Sequence, residues 1–182
     1  RAMTDNSPGY VIKGGADGRE RLRLLSRIVR PTTLSLLDRV GVAPGSSCLD
    51  FGCGGGDVCV ELSRLVGPGG RVLGIDMDAE TIAIAERERA ANALSNIRFE
   101  VATIGEWPSR RQFDLIYGRF ILTHLPDPAA AVSTCRGSLR PGGQVVFEDI
   151  DFAGHFIYPP SAAFERYIGL YSEGVHLSGA DP

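Results

Sequence analysis

Lysine is almost absent from this chain: of the 19 basic residues only Lys13 is a lysine, a bias that points to GC-rich coding and a bacterial source. Positive charge is scarce as well. The 19 basic residues face 22 acidic ones for a formal net charge of −3, which leaves no electrostatic footprint for nucleic acid or an anionic membrane. No apolar run approaches the ~18 residues of a membrane span, and Arg1 to Gly9 lacks the apolar core of a signal peptide, so a cytoplasmic protein is expected. Cys48, Cys53, Cys59 and Cys135 form no C-x-x-C pair, and His124, His155 and His176 show no metal-ligand spacing with them. Neither a structural metal nor a disulfide framework is expected, and the cysteines read as small core residues. Repeats, low-complexity tracts and long linkers are also missing, so the 182 residues read as one domain, long enough to bury a core without staples.

What is present is an alternation of strand and helix patterns. Five short apolar segments read as strands: Ser47 to Phe51, Arg71 to Ile75, Ile97 to Val101, Phe113 to Tyr117 and Gly143 to Ile150. Several run apolar without strict alternation, as a sheet covered on both faces and paired in parallel requires. Between them Asp57 to Val66 places Val58, Leu62, Leu65 and Val66 at helical spacing and stops at Gly67-Pro68-Gly69-Gly70. Asp78 to Ala93 is Ala-rich with a charged face, and Asp127 to Leu139 opens on an N-cap and a first-turn proline. Gly18 to Val40 reads as two helices broken at Pro31, and Ser161 to Gly174 as a last helix. A doubly wound open α/β sheet accommodates this order, with right-handed crossovers and a ligand crevice at the carboxyl ends of its strands.

The sharpest local feature is Cys48-Leu49-Asp50-Phe51-Gly52-Cys53-Gly54-Gly55-Gly56-Asp57, a strand that runs through glycines into a helix. Glycines there allow φ > 0 and let a ligand approach the main chain, while the helix N-terminus offers unpaired N–H groups to an anion. The same turn alone could be only a tight connection. The next strand, Arg71-Val72-Leu73-Gly74-Ile75-Asp76, ends in a carboxylate about 20 residues further on, where it can accept both hydroxyls of a ribose. The alternative role of Asp76 as a helix cap is already supplied by Asp78. A dinucleotide fingerprint would carry glycine where Asp57 stands, and a carboxylate there is unfavourable beside two phosphates. An adenosine with a zwitterionic amino-acid end fits better.

The runs LDFGCGGGD, VLGIDMD, FEVATIGEWP, FDLIYGRFILTHLPDP and SLRPGGQVVFEDID, over residues 45 to 152, resemble the class I S-adenosylmethionine-dependent methyltransferases, specifically the bacterial small-molecule type related to quinone biosynthesis. The resemblance implies a Rossmann-like sheet of order 3-2-1-4-5 and S-adenosyl-L-methionine as cofactor. It implies that residues 1–44 form a helical segment covering the cofactor site and residues 45–182 the binding domain. By the same resemblance Gly52 and Gly54 line the methionine moiety, Asp76 holds the ribose, Met77 packs on the adenine, and Thr103 and Ile104 lie at the adenine edge. Thr103 is a departure, since the family commonly has Asp there. Tyr10 resembles an aromatic that covers the cofactor, with ordinary packing as the alternative. Arg119 lies where the chain approaches the methionine end and suits its carboxylate, with a surface role as the alternative.

Methyl transfer to a small-molecule acceptor by in-line displacement requires alignment more than acid–base chemistry. Where a proton must leave, His124, Asp149, Asp151 and His155 are candidates, although His124 could equally close a helix end and the acids could be solvated. Trp107, Phe120, Phe152, Phe156, Tyr158, Phe164 and Tyr167 could wall an apolar acceptor pocket or pack between helices. A catalytically silent binder of the same cofactor and a nicotinamide-dependent oxidoreductase are the competing functions. The family usually adds a helix and an antiparallel strand pair after strand five, so the stop at Gly179-Ala180-Asp181-Pro182 leads to the expectation of a C-terminally incomplete domain.

Overall fold

The computed structural model describes residues 15–107, 110–152, 154–177 and 179–180. Its elements are α1 (Gly15–Val40), β1 (Ser47–Phe51), α2 (Asp57–Val66), β2 (Arg71–Asp76), α3 (Ala79–Ala91), β3 (Ile97–Val101), β4 (Phe113–Arg119), α4 (Pro128–Ser138), β5 (Leu139–Glu148) and α5 (Ala162–Leu177). The five strands form one sheet in the order β3-β2-β1-β4-β5, and every pair is parallel. That order reverses between β1 and β4, which opens a crevice at the carboxyl ends of those strands.

β1 sits at the centre and is buried at every residue, its polar Ser47 and Asp50 included. Side chains of alternate residues divide the core into two layers. Cys48, Val72, Ile97, Leu115 and Tyr117 pack with Val58, Cys59, Leu62 and Val66 of α2 and Leu37 of α1. Leu49, Phe51, Ile75 and Ile116 pack on the other face with Ala131 and Cys135 of α4 and with Ile104. Asn96 locks the turn before β3 to the end of α2, its side chain accepting from Ser63 at 2.6 Å and donating to the Gly67 carbonyl at 2.9 Å.

Two expectations about local structure are corrected. Pro31 does not split the N-terminal segment: α1 runs continuously from Gly15 to Val40 with the proline inside it. A proline costs one intrahelical bond and crowds the preceding turn, and here packing of Leu37 in the core and of α1 on α2 and α3 holds the helix across it. β5 starts at Leu139 rather than Gly143, because Leu139 pairs with Phe113 and Gln144 with Leu115, so the intervening Arg140-Pro141-Gly142-Gly143 bulges out of the ladder. Asp114 ties that bulge down by accepting from Arg140 at 2.9 Å and from the Ser47 N–H at 2.8 Å.

Phe99 of β3 lies over two glycines: a Cβ on Gly56 would meet its Cζ at 2.5 Å, and one on Gly74 its Cδ1 at 2.7 Å. Gly56 also has φ +81, so a side chain there is strained as well as crowded. Gly56→Ala should lower unfolding stability in urea by about 2–4 kcal/mol. Adding Phe99→Leu should return only the steric part of that loss. A Gly56→Ala protein as stable as the parent would contradict this packing.

Candidate functional site

β1 delivers Asp50 and Phe51 directly into the glycine turn. Gly52, Gly54 and Gly56 all take positive φ (68°, 52° and 81°), the left-handed region that side chains disfavour. The turn is tied to the neighbouring strand by Cys53 N–H donating to the Ile75 carbonyl at 2.9 Å. At Gly52 the space a Cβ would fill is 2.8 Å from Ile121 Cδ1, so the loop after β4 closes directly on the turn. α2 begins at Asp57, and its N-cap is Gly56, which has no side chain to cap the helix.

Asp76, at the end of β2, joins two turns. One carboxylate oxygen accepts from the Gly54 N–H at 2.9 Å and the other from the Asp78 N–H at 3.0 Å. An ionised carboxylate has about four acceptor sites, so each oxygen retains capacity for a further donor. Burial raises the Asp76 pKa although the backbone N–H groups of Asp78 and Gly54 oppose the shift. The capping role belongs to Asp78, which accepts from the N–H groups of Glu80 and Thr81 and from the Thr81 hydroxyl. Met77 projects an exposed side chain beside Asp76. Thr103 precedes the 3₁₀ turn Ile104–Glu106 and does not cap it with its hydroxyl, while the Ile104 side chain is buried in the second core layer.

Arg119 ends β4 and faces α1. Its Nη1 donates to Thr33 at 3.1 Å and its Nη2 to Ser26 at 3.0 Å, and its guanidinium lies 5.6 Å from the ring of Phe120. Phe120 itself has φ 56°, uncommon for a bulky residue, at the point where the chain leaves the sheet. Tyr10 lies outside the described residues.

The four proton-transfer candidates occupy different settings. His124 closes the 3₁₀ turn Leu122–His124, its N–H donating to the Ile121 carbonyl, and it is half-buried. Asp149 accepts from the N–H groups of Ile121 at 3.1 Å, Leu122 at 2.8 Å and Ile150 at 2.9 Å, so its carboxylate fastens the loop after β4 to the end of β5. Asp151 accepts from the Gly154 N–H in a surface turn. His155 lies 5.0 Å from Phe152, which stacks at 4.6 Å on Tyr171 of α5. Phe164 and Tyr167 join that aromatic group, Phe156 and Tyr158 are exposed, and Trp107 packs in the core against the α4 side.

Two acids near the crevice escaped the reading by motif. Asp50 is 2% exposed at the end of β1 and accepts from the Cys59 thiol at 3.1 Å. Burial pushes its pKa up to about 7, against the Cys59 bond and the Arg119 charge. A charged residue inside an otherwise apolar strand was its visible signal. Glu148, at the end of β5, accepts from the hydroxyls of Thr33 at 2.6 Å and Tyr117 at 2.5 Å. A separate open cavity of about 600 Å³ lies toward the amino ends of the strands, bordered by Arg71, Asn96, Arg98 and Gln112. It contains none of the residues that converge on the glycine turn.

Comparison with known proteins agrees with this geometry. Residues 43–168 match the methyltransferase domain family, and the chain belongs to it. The ubiquinone biosynthesis O-methyltransferase of Acinetobacter baumannii strain ACICU is 32% identical over 126 residues, 68% of this chain and 52% of that protein. The chain thus spans about half the length of the curated relatives it matches. An S-adenosylmethionine-dependent methyltransferase from Aquifex aeolicus shares the fold, with a TM-score of 0.62 over 78% of this chain and 77% of that one at 23% identity. The structure described as a DhpI-SAM-HEP complex aligns at 29% identity with a TM-score of 0.58, covering 68% of this chain and 55% of that one. The fold is the Rossmann-like one of these enzymes, and the family's cofactor is S-adenosyl-L-methionine.

The raised pKa of Asp50 gives a pH signature. An unfolded aspartate titrates near 3.9, whereas the folded value is about 7, so between these limits the native state holds a proton that the unfolded state has lost. Stability from this group is therefore present below about pH 4 and lost as pH rises through 7. Asp50→Asn should flatten that fall and stabilise the protein at pH 8 by on the order of 2–4 kcal/mol, read by urea unfolding at pH 5 and 8. Parallel pH profiles for the two proteins would contradict the burial argument.

Proposed function

We propose that the chain is the cofactor-binding part of an S-adenosylmethionine-dependent methyltransferase that acts on a small-molecule acceptor by direct in-line displacement. The observation that carries the reading is the carboxylate of Asp76 bound to the glycine turn at Gly54, at the reversal of strand order. The cradle suits the cofactor: glycines with positive φ turn the chain sharply out of β1, and the Asp76 carboxylate keeps acceptor capacity for two hydroxyls.

In this reading Asp76 accepts from the ribose, Met77 covers one face of the adenine, and Thr103 and the main chain at Ile104 meet its edge. Gly52 and Gly54 face the methionine moiety, and Arg119 takes the carboxylate. Helix α1, the described helix of residues 1–44, covers the side of the site at Arg119. When bound, S-adenosylmethionine supplies a methyl group on a sulfonium, whose departure as a neutral thioether requires no metal. The chain supplies alignment and exclusion of water. His124 is the group assigned to a departing proton, because the carboxylate of Asp149 is already committed to three N–H donors. The name of the Acinetobacter relative supports an oxygen acceptor.

Calorimetric titration tests the cofactor. S-adenosylmethionine and S-adenosylhomocysteine should bind and NAD should not. Asp76→Asn should weaken S-adenosylhomocysteine by about 1.5–3 kcal/mol, the range for a hydrogen bond to a charged group. Binding of NAD alone would overturn the reading, and an unchanged affinity in Asp76→Asn would remove that residue from the site. Transfer of labelled methyl to small-molecule extracts, with none to protein or nucleic acid, is the outcome expected for the acceptor class.

A further inference from the structure

Beneath α1, polar side chains from three elements form a directed chain. The Tyr117 hydroxyl donates to Glu148 Oε2 at 2.5 Å, and the Thr33 hydroxyl donates to the same oxygen at 2.6 Å. A threonine hydroxyl has one proton and two lone pairs, so the proton given to Glu148 leaves the oxygen to accept from elsewhere. It accepts from Arg119 Nη1 at 3.1 Å. Ser26, about two helical turns earlier on the same face of α1, accepts from Nη2 at 3.0 Å. Thr33 and Tyr117 are fully buried, with exposures of 1% and 0%, and Arg119 and Glu148 are half-buried, so the chain runs from the interior toward the surface. Among the described residues no carboxylate forms an ion pair with Arg119. Its guanidinium has five N–H donors, of which these hydroxyls take two.

We propose that Thr33 is a positioning residue of the cofactor site. Backed by Glu148 and Tyr117, it presents the Arg119 guanidinium to the carboxylate of the cofactor, so that docking of α1 and binding of the amino-acid end form one linked equilibrium. The proposal rests on the assignment of Arg119 to that carboxylate. Its physical basis is pre-organisation: an unrestrained arginine loses rotamer freedom when it binds, and one already held by two hydroxyls loses less. Linkage makes the effect reciprocal, since whatever α1 contributes to affinity the ligand returns to the docking of α1.

The test compares two probes, S-adenosylhomocysteine and 5′-methylthioadenosine, which keeps the nucleoside and lacks the amino-acid end. Both are titrated calorimetrically into the parent protein and into Thr33→Val, Thr33→Ser, Tyr117→Phe and Arg119→Ala. Thr33→Val, isosteric but without the hydroxyl, should weaken S-adenosylhomocysteine about 10-fold and change 5′-methylthioadenosine by less than about twofold. Thr33→Ser restores the hydroxyl and should return the affinity to within about threefold of the parent. Tyr117→Phe should move the two probes in the same direction as Thr33→Val, and it carries the test if the valine variant fails to fold. Equal weakening of both probes would reduce Thr33 to packing and overturn the proposal. Loss of S-adenosylhomocysteine affinity in Arg119→Ala but not in Thr33→Val or Tyr117→Phe would overturn the relay and leave the arginine's assignment standing. Unchanged affinity in Arg119→Ala would overturn both.

Discussion

The carboxylate of Asp76 is the interaction on which the crevice depends. It accepts from the N–H of Gly54 on one side and from that of Asp78 on the other, so one side chain fixes both the glycine turn after β1 and the entry to α3. The Gly54 N–H lies in a turn that departs from the strand with three glycines at positive φ, and the Asp78 N–H lies at the N-cap of α3, so neither pairs within regular structure. The acid therefore has a structural role in the turn and retains acceptor capacity for a ligand. Its burial opposes ionisation, and the two N–H donors lessen that cost. The same economy appears at Asp149, where three N–H donors are bound by one carboxylate that joins the loop after β4 to β5.

The two faces of the sheet are held differently. On the side of α4 the contact is apolar, from Leu49, Phe51 and Ile116 to Ala131 and Cys135. On the side of α1, among the described residues, Leu37 is the apolar side chain of that helix fully buried in the core layer, and the helix is also joined through Thr33 and Ser26 to Glu148 and Arg119. An apolar seam fixes a helix by area, whereas a buried polar seam depends on complete and correctly directed partners.

Much of this was legible in the residues. Each strand centre was visible because a parallel sheet covered on both sides demands short apolar runs, and the glycine turn with its distant aspartate marked the crevice. The limits of β5 were hidden, since Arg140-Pro141-Gly142-Gly143 looks like a loop and is a bulge within a paired strand. Pro31 misled for a related reason: local propensity favours a break, and tertiary packing of α1 overrides it. Asp50 could have been found as a charge amid apolar neighbours. Ser26 and Thr33 carried no such mark, because hydroxyls on an exposed-looking helix reveal their role only when β4 and β5 bring Arg119 and Glu148 beneath them.

We propose that this crevice holds an adenosyl cofactor with its ribose on Asp76 and its carboxylate toward Arg119. A crystal structure of the protein with S-adenosylhomocysteine tests it most directly. The expected result places both ribose hydroxyls within hydrogen-bond distance of the Asp76 carboxylate and the ligand's carboxylate on the guanidinium of Arg119, with Thr33 still bonded behind it. A ligand seated elsewhere, or one whose ribose avoids Asp76, would overturn this assignment.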